Sequence, residues 1–92
     1  MAIEVRIPTI LRTYTDGAKA VEGSGETLAN LLDDVEARHT GIKDRLVDSD
    51  KLRRFVNVYL NDEDVRFLDG LDTPLKDGDV VTVLPAVAGG SN

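Results

Sequence analysis

No cysteine occurs in the chain, so disulfides, thiol nucleophiles and iron–sulfur ligation are excluded together. Histidine is nearly absent too: His39 stands alone, and few partners remain to complete a triad or a metal site around it. Its place near a predicted helix end gives it the plainer role of a dipole-complementing or solvated side chain. No apolar run is long enough to span a bilayer, and the N-terminus lacks a basic-then-apolar signal pattern, so a cytoplasmic location and no membrane partner are expected. Positive charge is scarce. With 11 Lys and Arg against 17 Asp and Glu, the net charge is −6. Nucleic acid is therefore a poor partner, because phosphate contacts call for Lys and Arg. The excess of carboxylates suits solubility, and it would also steer the chain toward a basic surface on a protein partner. Internal repeats and low-complexity stretches are missing as well.

What is present describes one small domain. A length of 92 residues leaves no room for a second core, and 41% hydrophobic with 30% charged residues is a globular composition. Ile3, Val5 and Ile7 alternate with Glu4 and Arg6, the period of a half-buried strand, and Pro8 ends or bends it. Leu11 to Thr15 reads as a looser stretch before the turn Asp16-Gly17, and Ala18 to Glu22 as a second strand antiparallel to the first. Thr27 is placed as an N-cap, and Leu28, Leu31, Leu32 and Val35 then form one apolar helical stripe. Gly41 is expected just past the helix end, followed by a short helical turn around Ile42 to Val47. Val56, Val58 and Leu60 predict the clearest central strand. Asn61 to Asp64 should turn, and Val65-Arg66-Phe67 should return as a short strand, with Leu71 and Leu75 as buried anchors of the loop that follows. Val80 to Leu84 is the last strand. The order β-β-α-β-β-β makes an α+β roll with one face of a mixed sheet covered by one main helix.

Other groupings that might carry chemistry have simpler readings. Asp48 and Asp50, Asp62 to Asp64, and Asp77 and Asp79 lack the spacing, the sharp glycine and the closing glutamate of a calcium loop, and they suit turns that bond their own backbone. Gly23-Ser24-Gly25 lacks the Lys-Ser/Thr of a phosphate loop and reads as a plain loop. No catalytic residue, metal site or cofactor of the chain's own is expected.

The last stretch is different. Asp77-Gly78 is a strong turn dipeptide, Val80 to Leu84 is β-branched, and Pro85 should stop the ladder. Ala86, Val87, Ala88, Gly89 and Gly90 are then small and uncharged, before Ser91-Asn92. A glycine pair cannot stabilise a fold, but a backbone without side chains can enter a channel that any Cβ would block. Residues 1–85 are therefore expected to form the domain, and 86–92 a flexible tail for threading into a partner through Ala88, Gly89 and Gly90. If Val81 and Val83 face the helix, then Val80, Thr82 and Leu84 face outward. Leu84 and Val80 with Tyr59 or Phe55, and with Pro85 and Val87 beside them, would make a partner-binding patch, to which Arg53, Arg54 and Arg66 would add polar contacts; the alternative is a satellite apolar cluster covered by loops.

This strand–Pro–small-residue–Gly-Gly ending resembles the ThiS/MoaD-type sulfur carriers, which are small ubiquitin-like β-grasp domains with a mixed sheet of about five strands packed on one helix. Absence of cysteine sets it apart from the ferredoxin branch of that architecture. The stretches Ile7-Pro8-Thr9-Ile10-Leu11-Arg12 and Arg54 to Phe67 are similar to the CysO-type carriers of cysteine biosynthesis. The resemblance implies a protein cosubstrate. An ATP-dependent activating enzyme would adenylate the Gly90 carboxylate and convert it to a thiocarboxylate that donates sulfur. The acceptor would be a pyridoxal-phosphate-dependent cysteine synthase or another sulfur-accepting synthase, with the cofactor on that partner. Ser91-Asn92 block the carboxylate. By resemblance, a JAMM-type metalloprotease would cut between Gly90 and Ser91; a cloning remnant is the plainer origin of the pair. Sulfur donation to thiamin, molybdopterin or secondary-metabolite thiolation, or conjugation of Gly90 to lysines as a ubiquitin-like modifier, would start from the same tail.

Overall fold

The computed structural model describes residues 2–49, 51–54 and 56–85. Strand β1 (Ile3–Arg6) leads through a 3-10 helix (Thr9–Thr15) to β2 (Ala20–Gly23). Helix α1 (Leu28–Arg38) and the short α2 (Lys43–Leu46) follow, then the small strands β3 (Val47–Asp48) and β4 (Lys51–Leu52). Strands β5 (Val56–Leu60), β6 (Glu63–Asp64) and β7 (Val80–Pro85) complete the described elements, with two more 3-10 turns between β6 and β7. The main sheet has five strands in the order β2-β1-β7-β5-β6. β1 pairs parallel with β7, and every other pairing in the sheet is antiparallel.

Alternation along the strands decides which face is buried. Ile3, Val5, Val56, Val58, Val81 and Val83 point inward and are nearly inaccessible, and Leu28, Leu31, Leu32 and Val35 of α1 close over them in one core. Thr27 caps α1 as expected, its hydroxyl accepting from the Asn30 N–H at 3.2 Å. Gly25 has a packing reason that loop chemistry did not reveal. A Cβ there would meet the Leu31 backbone nitrogen at 2.5 Å, so the chain passes too close to α1 for any side chain.

Several boundaries differ from the sequence expectation. The second strand begins at Ala20 rather than Ala18, because the buried Thr15 hydroxyl bonds both the Arg12 and Ala18 carbonyls and holds Ala18 in the turn. The looser stretch is a 3-10 helix entered at Pro8, with Leu11 inward and Ile10 outward. α1 ends at a cap on His39, so Gly41, at φ 100°, stands one residue further out than expected. The Glu36 carboxylate accepts from the Gly41 and Lys43 N–H groups at 2.9 and 2.8 Å, joining α1 to α2. These two bonds hold the Glu36 pKa below its ordinary value. Val65–Phe67 is 3-10 helix rather than strand. Asn61 and Asp62 both take positive φ, 49° and 75°, so a two-residue turn closes the hairpin early and β6 is spent by Asp64. β7 runs one residue beyond Leu84, with Pro85 opposite Val56.

Candidate functional site

Strand β7 is the last described element before residues 86–92, and it lies in the middle of the sheet. Its start is fixed by a turn. The Asp79 N–H donates to the Lys76 carbonyl at 3.0 Å, and Gly78 takes the positive φ (90°) that type II turns need at the third position. Asp79 also accepts from Asn61 Nδ2 and from the Lys76 N–H, at 3.0 and 2.8 Å, and Asn61 Oδ1 accepts from the Val80 N–H at 3.0 Å. From there Val81 and Val83 anchor the strand in the core, with at most 2% of either exposed. Pro85, the last described residue, therefore ends a strand anchored in the core.

Outward from the helix, the register sets Val80, Thr82 and Leu84 on one face with Asn57 and Tyr59. Leu84 is 44% exposed, while Val80, Tyr59 and Pro85 are half-buried. On that face Leu84 stands opposite Asn57, and Tyr59 opposite Thr82. Tyr59 lies on the diagonal from Leu84, with Asn57 and Thr82 as the direct cross-strand partners. Arg66 donates to Asn57 Oδ1 at 2.7 Å and to the Arg53 and Val56 carbonyls at 2.9 and 2.6 Å, so it braces the entry to β5 rather than reaching outward. Phe55, Val87, Ala88, Gly89, Gly90 and Ser91 lie outside the described residues, and so does the tail expected over 86–92.

The 3-10 helix contributes residues that the strand pattern did not single out. A cavity of about 350 Å³ beside Pro85 is lined by Ile10, Tyr14, Arg45, Arg53 and Val56 among others. Arg45 Nε donates to the Tyr14 hydroxyl at 2.7 Å, a contact that raises the Arg45 pKa further above its already high ordinary value. On the other side of Ile10, a hollow of about 470 Å³ runs between Arg12, Lys19, Leu84 and Pro85. Ile10 itself is 66% exposed. The hint lay in Pro8, which starts a turn and leaves the next apolar residues pointing to opposite sides.

Comparison with known proteins fits this arrangement. The ThiS family model matches residues 5–90. Sulfur carrier protein CysO of Mycobacterium tuberculosis is 57% identical over 93 aligned positions, covering 98% of this chain and all (100%) of that protein. Small archaeal modifier protein 3 of Haloferax volcanii is 42% identical over 64 positions, 70% of each chain. Among solved structures, a chain in the crystal structure of the Amycolatopsis orientalis BexX/CysO complex superposes with a TM-score of 0.93 at 63% identity, covering 97% of this chain and 100% of that one. The ubiquitin-like β-grasp architecture read from the sequence is the architecture these structures share.

Proposed function

The chain belongs to the ThiS family, and from that premise we propose that it is a sulfur carrier whose reactive group is the Gly90 carboxyl. It acts as a cosubstrate and not as an enzyme. The observation that carries the reading is where the family match stops: it runs to residue 90, the second glycine of the pair, and takes in the whole of β7.

The chemistry follows from a carboxylate at the end of a slim backbone. Ser91-Asn92 are first removed by hydrolysis, which frees the Gly90 carboxylate. One of its oxygens attacks the α-phosphorus of ATP bound to an activating enzyme, and pyrophosphate leaves. Hydrosulfide, or a donor at the same oxidation level, adds to the acyl carbon of the adenylate and AMP departs with that oxygen. The product is a thiocarboxylate, with no net oxidation or reduction. A thioacid is largely ionised at neutral pH, so its sulfur is a soft nucleophile without a general base. For the acceptor we favour cysteine biosynthesis, on the 57% identity to a protein named CysO. In that route the thiocarboxylate sulfur forms the new C–S bond at a pyridoxal-phosphate-dependent synthase, which leaves a thioester to Gly90; the amine then takes the acyl group from sulfur, and the metalloprotease hydrolyses the resulting amide to free cysteine and the Gly90 carboxylate. The solved complex of BexX with a relative 63% identical to this chain supports a protein partner.

Likeness to Small archaeal modifier protein 3 favours a second reading, in which the adenylated Gly90 forms an isopeptide with lysines of target proteins. One experiment separates the two. The intact mass of the chain is followed during incubation with host extract, ATP and sulfide. A carrier loses Ser91-Asn92 and then exchanges one oxygen for one sulfur. Trimming without sulfur gain, together with adducts that resist thiol reagents, establishes the modifier and overturns the carrier.

A further inference from the structure

The two edges of the main sheet end differently. β6 is two residues long and runs at once into a 3-10 turn, whereas β2 offers four residues of open edge. The Ile7 N–H donates to the Lys19 carbonyl at 2.8 Å, in the register that sets Val5 opposite Val21 and Ile3 opposite Gly23. In an antiparallel ladder, pairs that exchange hydrogen bonds alternate with pairs that do not, so Val21 and Gly23 turn their backbone groups toward β1. Those of Ala20 and Glu22 therefore point away from the sheet.

Much of this edge is already occupied. At one end Thr15 closes it: its carbonyl accepts from the Ala18 N–H at 3.0 Å, and its hydroxyl donates to the Ala18 carbonyl at 2.9 Å. At the other end α1 does so. Asp34 Oδ2 accepts from the Ser24 N–H at 3.0 Å, and Arg38 Nη1 donates to the Glu22 carbonyl at 3.1 Å. Arg38 Nη2 lies 3.5 Å from that same Asp34 oxygen, so two residues one helical turn apart act together. Gly23 lets them reach. A Cβ there would stand 2.8 Å from Leu31 Cδ1 and 3.4 Å from Asp34 Oδ2, so the strand runs directly against α1. Among the described residues, the Ala20 N–H and carbonyl and the Glu22 N–H are left without a partner.

We propose that Arg38, held by Asp34, guards this edge: by occupying the Glu22 carbonyl it keeps the chain from pairing edge to edge with a second copy. An unpaired edge is a template for another strand. A second copy fits because the edge is complementary to itself. With a two-fold axis at Val21, Ala20 of one copy stands opposite Glu22 of the other, and each such pair can exchange two hydrogen bonds. The two five-stranded sheets would then join into one. That register needs the Glu22 carbonyl of both copies, the group that Arg38 holds. An axis at Ala20 would instead set Glu22 opposite Ala18, whose backbone groups Thr15 has taken. The inference is independent of the carrier reading.

The full chain is followed by sedimentation velocity over a concentration series at physiological salt, with amide hydrogen exchange read by NMR. The wild type is expected to stay monomeric, with fast exchange at Ala20 and Glu22. Arg38→Ala should form dimers within the series, associating at least about tenfold more tightly, and its Ala20 and Glu22 amides should gain protection as concentration rises. Adding Ala20→Pro to that variant should return the monomer, since proline removes an outward N–H and leaves the bonds to β1 in place. The Arg38 side chain is 54% exposed, so its truncation should leave the thermal midpoint nearly unchanged. Should Arg38→Ala fail to fold, Asp34→Asn releases the guanidinium, keeps an acceptor for the Ser24 N–H and gives the milder association. A folded Arg38→Ala chain that stays monomeric, a dimer that survives Ala20→Pro, or a wild type already paired through these two amides would each overturn the proposal.

Discussion

The two ends of β7 are built for opposite purposes. At its start, Lys76 to Asp79 and Asn61 form a closed hydrogen-bonded knot in which Asp79 and Asn61 satisfy backbone N–H groups at Lys76 and Val80. At its finish, Ile10 and Leu84 stand exposed, and Arg12, Lys19, Arg45 and Arg53 lack carboxylate partners among the described residues. Polar groups at the first end are spent inside the molecule. Those at the second are held in place yet still available. A strand that is satisfied at one end and unsatisfied at the other has a direction, and the unsatisfied end is where the tail begins.

Substitutions can break that contrast or sharpen it. Gly90→Ala should have the largest effect, slowing thiocarboxylate formation roughly 100-fold by misplacing the carboxylate, with no change in the thermal midpoint. A time course of intact mass beside a melting curve checks both halves, and wild-type loading would defeat the argument from backbone slimness. Next comes Leu84→Asp, which removes an exposed anchor. It should cost about 2 kcal/mol of binding to the activating enzyme, read by calorimetric titration, while stability holds because the side chain is 44% exposed. Asp79→Ala strikes the other end. Losing its bonds to Asn61 and Lys76 should cost about 1 kcal/mol of stability, seen in urea unfolding, and leave sulfur loading as fast as before.

The smallest effect belongs to neither end. Glu36 has a folded pKa below its unfolded one, so its contribution is complete at neutral pH and declines below about pH 4.3, the ordinary glutamate value. It is gone once the pH falls past the lowered folded value. Glu36→Gln should therefore be less stable than wild type at pH 7, with the gap closing in acid. Unfolding curves at several pH values check this, and a gap that widened in acid would contradict the sign.

Much of the fold was legible because each strand buries one face only. Ile3 and Val5, Val56 and Val58, and Val81 and Val83 alternate cleanly, and the α1 stripe has the helical period. Elements with no period were not. The 3-10 helix at Thr9–Thr15 and the hairpin of β3 with β4 depend on single contacts, such as the Thr15 hydroxyl on two carbonyls, which no pattern encodes. For the site, Leu84 was legible from alternation, whereas Ile10, Arg12, Lys19 and Arg45 come to it from separate segments. Their convergence exists only in three dimensions. The residues that line the two hollows beside Pro85 include five cations and no carboxylate, which composition does not foretell.

The position of β7 between β1 and β5 also has a mechanical meaning. The ladder hydrogen bonds lie across the strand axis. Tension applied along the tail therefore shears both ladders at once and cannot unzip them one bond after another. A pull on the chain beyond Pro85 thus meets both ladders together, with the buried core as the anchor.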